Sequence, residues 1–201
     1  MLGKIIKWAV IAVLVAAAIF ALLNNEYFFK QLRYYTSQVF VTEQQRENIR
    51  RERPVVEEPS QLQIPSLDVV APIQYVTESN EPVFQAALAN GVVHYPGTAE
   101  FGAEGNSYIF GHSSDFAFSK GDYKTVFALL PKIQIGAEVS VTNKEGEKYV
   151  YRVYDKFVVE SNDVKQLEQN TRGKRILTLQ TSYPIGTALK RYIVKAELVK
   201  D

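Results

Sequence analysis

The sequence predicts a mainly β fold: about eight short strands that close into a barrel or stack as a sandwich, with short helices between them and a transmembrane helix and helical stalk in front. Three observations carry this expectation. An uncharged apolar run, WAVIAVLVAAAIFALL, occupies Trp8 to Leu23. A segment without glycine or proline follows it as far as Arg53. From Gln61 onward, short runs rich in β-branched and aromatic residues alternate with turn residues.

The first element is the apolar run, which Ile5 and Ile6 extend past Lys7, whose long stem can reach the interface. Lys4 and Lys7 precede it and Glu26 follows, which places the N-terminus in the cytoplasm and the bulk of the chain outside, although Lys30 and Arg33 blunt the asymmetry. The small residues Ala16, Ala17, Ala18 and Ala21 also suit a cleaved signal peptide. The run is long for that, so residues 1–24 are read as an uncleaved, single-pass anchor.

Residues 25–60 form the stalk and linker. The stretch to Arg53, rich in aromatic, Gln and Arg residues, reads as a helical spacer leaving the membrane surface. Pro54 and Pro59 bracket VVEE and end it.

Residues 61–201 form the β domain, with strands in QLQIPSL, VVAPIQYV, GVVHY, SYIFG, EVSVT, KYVYRVYDKFVVE, RILTLQT and RYIVKAELV. PVFQAALANG begins with Pro82 and closes with Gly91, the asymmetry of a helix. TVFALLPKI is a shorter helical candidate, and Lys144 to Gly146 supply a hairpin turn.

Composition removes several classes of function. The 23 Lys and Arg residues nearly cancel the 22 Asp and Glu residues, so no strong field attracts nucleic acid. With no cysteine there is no disulfide, thiolate metal site or thiol nucleophile, and two histidines support a zinc site poorly. No metal and no cofactor is expected; Glu100, Glu104, Asp115 and Asp122 are read as surface carboxylates rather than calcium ligands.

Two stretches carry candidate chemistry. In RYIVKAELV, Tyr192, Val194, Ala196 and Leu198 alternate with Arg191, Ile193 and Lys195, so Arg191 lies on the face away from the core. In RILTLQTS, Leu177, Leu179 and Thr181 alternate with Thr178, Gln180 and Ser182. If these strands pair, Ser182 and Arg191 border one groove across the link that contains Pro184 and Gly186. His112 follows SYIFG where a strand gives way to a loop, a common place for a general acid or base. His94, inside GVVHY, is read as structural.

TLQTS followed by YPIGTALKRYIV resembles the signature of the sortases, membrane-anchored cysteine transpeptidases of mainly Gram-positive bacteria, in which TLxTC is followed closely by arginine. HYPGTAEFGAEGNSYIFGHSS is similar to the sortase stretch ending in the catalytic histidine, and QLQIPSLDVVAPI resembles the first barrel strand. The resemblance covers roughly Gln61 to Val199 and implies the eight-stranded sortase-type barrel.

It further implies that His112, Ser182 and Arg191 occupy the catalytic positions, with Thr181, beside the nucleophile near the oxyanion region, as a substrate-binding residue. It implies cleavage of an LPxTG-like sorting signal near the C-terminus of a secreted protein, then transfer of the acyl group to an amine such as that of a peptidoglycan precursor. Ser182 stands where the family has cysteine. An unassisted hydroxyl has a far higher pKa than a thiol, so this chain is expected to be an inactive Cys-to-Ser form. A deliberate substitution or a natural serine would each account for it, and the intact surroundings favour the former. The alternative is a catalytically silent, membrane-tethered module that binds sorting-signal or wall peptides; a serine peptidase ranks third. The linker shows no Asp-Pro-aromatic lid, and a lidless type is expected.

Overall fold

The computed structural model describes residues 2–23, 25–40, 58–114 and 121–200. Most of the expected linker, the C-terminal part of the stalk and Asp115 lie outside the described residues.

Eight strands form one closed barrel in the order β1-β2-β3-β4-β7-β8-β6-β5. They are β1 (Gln61–Ile64), β2 (Val69–Tyr75), β3 (Val92–His94), β4 (Gly105–Phe110), β5 (Glu138–Thr142), β6 (Lys148–Glu160), β7 (Arg175–Tyr183) and β8 (Lys190–Lys200). Closure leaves no sheet edge unpaired, and the alternation of each strand sends one set of side chains inward. Leu62, Val141, Ile109, Leu177, Leu179 and Val194 fill the centre without solvent exposure. Each such side chain contributes about 1.5–3 kcal/mol over its exposed state.

Two of the pairings, β2 with β3 and β4 with β7, are parallel; the rest are antiparallel. Because β4 and β7 run together and β8 runs back along β7, the ends of β4 and β7 and the start of β8 meet at one end of the barrel.

The expected helix after Pro82 is α3 (Glu81–Leu88), N-capped by Asn80, whose Oδ1 accepts from the Val83 N–H at 3.1 Å. Gly91 follows because a side chain there would meet the Pro72 carbonyl oxygen at 2.1 Å, so only glycine lets the chain pass β2 into β3. TVFALLPKI does not form an α-helix. Its centre is a series of turns closed by a 3-10 turn at Leu130–Lys132, and Pro131 lacks the N–H that an α-helical turn needs.

At the N-terminus, α1 (Leu2–Leu23) carries Gly3–Leu22, the one described helix long and apolar enough to cross a membrane by length and composition. The described part of the stalk is the helix α2 (Asn25–Phe40), and it touches the barrel. The Lys30 ammonium donates to the Thr125 carbonyl at 2.9 Å, Lys132 donates to the Tyr35 hydroxyl at 2.6 Å, and Arg33 pairs with Asp68 at 3.6 Å. Tyr34 packs against the edge of the core. This helix is thus docked on the barrel. Burial of Lys30 holds its ammonium pKa below the ordinary lysine value, against the opposing charges of Glu26 and Asp68.

Candidate active site

The groove expected beside Ser182 is built from the outer faces of β4, β7 and β8. Leu177, Leu179 and Thr181 point into the barrel, leaving Gln180 and Ser182 on the outside, as the alternation required. Ser182 and Arg191 are directly opposed across the β7–β8 pair. Opposed residues have Cβ atoms about 5 Å apart, which puts the hydroxyl and the guanidinium within reach of one small ligand group.

His112 is delivered to the same end by β4. That strand ends at Phe110, and the Gly111 N–H continues the β4–β7 ladder by donating to the Gln180 carbonyl at 3.1 Å. The Thr181 hydroxyl, from inside the barrel, donates to the Gly111 carbonyl at 2.8 Å. The Phe127 N–H donates to the His112 carbonyl at 2.9 Å. His112 is therefore fixed on both sides: by the residue preceding Ser182, through Gly111, and by the turn segment on which α2 rests. Gly111 is required sterically, since a Cβ there would lie 2.8 Å from the Phe127 ring and 3.0 Å from Val126.

The link between Ser182 and Arg191 is equally constrained. A turn is closed by the Thr187 N–H to the Pro184 carbonyl at 3.0 Å, and the Thr187 hydroxyl donates to the same carbonyl at 2.7 Å. The Gly186 N–H donates to the Ser114 hydroxyl oxygen at 2.9 Å, tying this link to the loop that carries His112. Arg191 Nη1 donates to the carbonyls of Ala188 and Lys190 at 2.9 and 3.1 Å, which holds the guanidinium at the mouth of the turn. A guanidinium has five N–H donors, so this anchoring leaves others to meet an oxyanion.

Below Ser182 the outer face is lined by Tyr108 and Gln180, joined by a Tyr108 O–H donated to Gln180 Oε1 at 2.7 Å. Burial pushes the Tyr108 phenol pKa upward, and the Arg191 charge opposes this. Tyr108 is thus a neutral donor in the floor of the groove and lies within the field of Arg191. Tyr95, Phe84 and Phe110 continue an aromatic shelf beside it, with Phe84 and Phe110 rings 5.0 Å apart.

One wall, residues 161–174 between β6 and β7, is pinned by an amide exchange that the sequence does not announce. Gln169 Oε1 accepts from the Ala99 and Asn106 N–H groups at 3.1 and 3.3 Å, and Nε2 donates to the Asn106 and Leu167 carbonyls at 3.1 and 2.8 Å. Asn106 donates to the Gln166 carbonyl at 2.8 Å and accepts from the Thr178 hydroxyl at 2.7 Å. Neither residue belongs to a motif, and nothing in the sequence marks the buried Asn106 or the half-buried Gln169. Tyr108 and Ser114 were inside stretches that the sequence had singled out, without a role.

His94 is away from this end. It is buried, its Nε2 lies 3.1 Å from the Ala99 carbonyl, and Phe101 and Tyr75 flank it. Desolvation holds its pKa below the ordinary imidazole value, against the Ala99 carbonyl and the Glu100 charge. Among the described residues no group of three or more His, Cys, Asp or Glu side chains could hold a metal ion.

A family profile described as the sortase domain matches residues 62–199, which spans the whole barrel. The chain belongs to the sortase family. No curated protein sequence matches it. Among solved structures, it is 26% identical to Group B Streptococcus Pilus Island 1 Sortase C2, with a TM-score of 0.58 over 73% of this chain and 77% of that one. A Clostridium perfringens Sortase D5 transpeptidase is 25% identical, TM-score 0.57, over 82% of this chain and 93% of the other. A lid mutant of Sortase A from Corynebacterium diphtheriae shares the fold at 24% identity, TM-score 0.58, over 88% and 94% of the two chains. Sortase membership makes the barrel that of a transpeptidase.

Proposed function

We propose that this sortase acts outside the cytoplasmic membrane, anchored by α1, on secreted proteins bearing an LPxTG-like C-terminal sorting signal, and that Ser182 leaves the present chain catalytically silent. The observation that carries this reading is the cross-strand pairing of Ser182 with Arg191 at the barrel end to which Gly111 and Thr181 fasten His112.

With cysteine at position 182, the thiolate attacks the carbonyl carbon of the scissile peptide bond, and the Arg191 guanidinium stabilises the oxyanion that forms. Collapse of the intermediate breaks the C–N bond, His112 gives its proton to the departing amine, and a thioester remains. An acceptor amine then attacks the thioester carbonyl, loses a proton to His112 and releases the thiolate. Thr181 serves as a positioning residue, since its hydroxyl is committed to Gly111 and its backbone borders Ser182.

Serine retains the shape but not the acidity. A hydroxyl ionises several units above a thiol, and it becomes a nucleophile only with a base bonded to it and a third group orienting that base. The reading is tested by assaying the chain and its Ser182→Cys variant on a panel of fluorogenic LPxTG-like peptides. Cleavage by the variant alone is the expected result; no cleavage of any signal by the variant contradicts it.

Ser182 itself favours one second reading, a membrane-tethered module that holds sorting-signal or wall peptides in the Tyr108–Gln180 groove without turning them over. Binding of such peptides by both forms, with reaction by neither, selects it.

A further inference from the structure

We propose that the outer edge of α2, formed by Phe28, Phe29 and Leu32, lies in the lipid headgroup layer, so that the docked barrel is carried directly on the bilayer surface rather than on a spacer. This rests on α1 being the membrane anchor.

The two sides of α2 are unlike. One side meets the barrel through Lys30, Arg33, Tyr34 and Tyr35, with the Lys132 ammonium also 5.1 Å from the centre of the Tyr35 ring. The other side presents Phe28, Phe29 and Leu32, which are 42%, 69% and 60% exposed. Spacings of three and four residues put these three side chains on one strip of the helix. Arg33 and Tyr35 border this strip and turn to Asp68 and Lys132 of the barrel, and the three side chains themselves are apolar.

Its position along the chain identifies the cover. The apolar span ends at Leu22 and α2 begins at Asn25, so Phe28 stands six residues beyond the span, about 9 Å at a helical rise. The headgroup layer is roughly 5–8 Å deep on each side, so an α2 that runs obliquely over the bilayer surface brings the Phe28 and Phe29 rings into it. Phe28 also reaches back toward the span, its ring centre 6.3 Å from that of Phe20 inside the apolar helix. Aromatic side chains one ring contact from the hydrocarbon occupy the interface, where the headgroup and acyl boundary accepts their apolar area. Lys30, which holds the Thr125 carbonyl, is only eight residues past Leu22. The barrel surface at Thr125 is therefore held next to the headgroups.

The test uses the full chain in vesicles of phosphatidylethanolamine and phosphatidylglycerol, with lipids brominated at set depths along the acyl chain. Trp8 is the one tryptophan and reports on the anchor; Trp8→Phe combined with Phe29→Trp or Leu32→Trp reports on the edge. The expected result is that tryptophan at 29 is quenched most by shallow bromines, about 5–10 Å into the boundary, and is shielded from aqueous iodide, with position 32 shallower. If Trp8 is quenched by bromolipid while position 29 is quenched by iodide and not by lipid, the inference is overturned and the anchor stands. If position 29 is shielded from both and cross-links between copies, a second chain covers the strip and the inference is likewise overturned. If Trp8 itself escapes lipid quenching, the anchor reading fails and the inference fails with it.

Discussion

Replacing Thr181 by valine keeps the shape of a fully enclosed side chain, 1% exposed, and removes only the hydroxyl that donates to the Gly111 carbonyl at 2.8 Å. The lost bond is worth about 1 kcal/mol net, and the carbonyl deprived of its donor adds roughly 1 kcal/mol or more in desolvation, so unfolding should be eased by about 2 kcal/mol. In a barrel of this size that lowers Tm by roughly 5–8 °C. Because Gly111 precedes His112, turnover by the Ser182→Cys form should fall as well. Thr181→Ser separates the two effects: it keeps the hydroxyl and loses a buried methyl, costing about 1 kcal/mol of stability, yet it should preserve the rate. The assay is thermal unfolding of each variant beside kcat and KM for peptide cleavage in the Ser182→Cys background. If Thr181→Val unfolds and cleaves like its parent, or Thr181→Ser loses as much rate as Thr181→Val, the Thr181 to Gly111 bond does not position His112.

Three further outcomes follow from the geometry. Gly111→Ala forces a Cβ to within 2.8 Å of the Phe127 ring and should destabilise by about 1–3 kcal/mol, read from denaturant midpoints at unchanged slope; Phe127→Leu in the same chain should restore part of the loss. Gln169→Leu strips the amide that joins residues 161–174 to Ala99 and Asn106; a loss of about 2–4 kcal/mol and faster proteolysis within that segment are expected, and an unchanged cleavage pattern would show that the wall is held otherwise. His94 has its pKa lowered by burial, so the unfolded chain binds the extra proton first. Stability should then rise with pH through the interval from the depressed folded value up to about 6.5, and be lost as pH falls through it; His94→Gln should flatten that slope in pH-dependent unfolding.

Much of the barrel was legible because its strands alternate cleanly. EVSVT and KYVYRVYDKFVVE match β5 and β6 residue for residue, and the others differ only at their ends, where pairing with a neighbour rather than composition decides the last residue. The strand QLQIPSL was overextended because Pro65 opens a 3-10 turn at Pro65–Leu67. TVFALLPKI misled because its apolar spacing serves burial against Gly111 and the barrel rather than a helix face. The opposition of Ser182 and Arg191 was readable, since alternation and a short link fix both strand faces. The ties from Gly186 to Ser114 and from Gln169 to Asn106 were not, because they join residues 60 or more positions apart through single side-chain bonds that leave no periodic trace. Docking of α2 was hidden for the same reason: Lys30 bonds a backbone carbonyl 95 residues away.

The decisive measurement is the intact mass of the Ser182→Cys chain after a single turnover with an LPxTG-like peptide, beside that of the chain with Ser182. The prediction is an added mass equal to the N-terminal acyl fragment on the cysteine form, removed when an amine acceptor is supplied, and no added mass on the serine form. A cysteine form that binds the peptide and gains no mass would mean that His112, residue 182 and Arg191 do not constitute a working transpeptidase site.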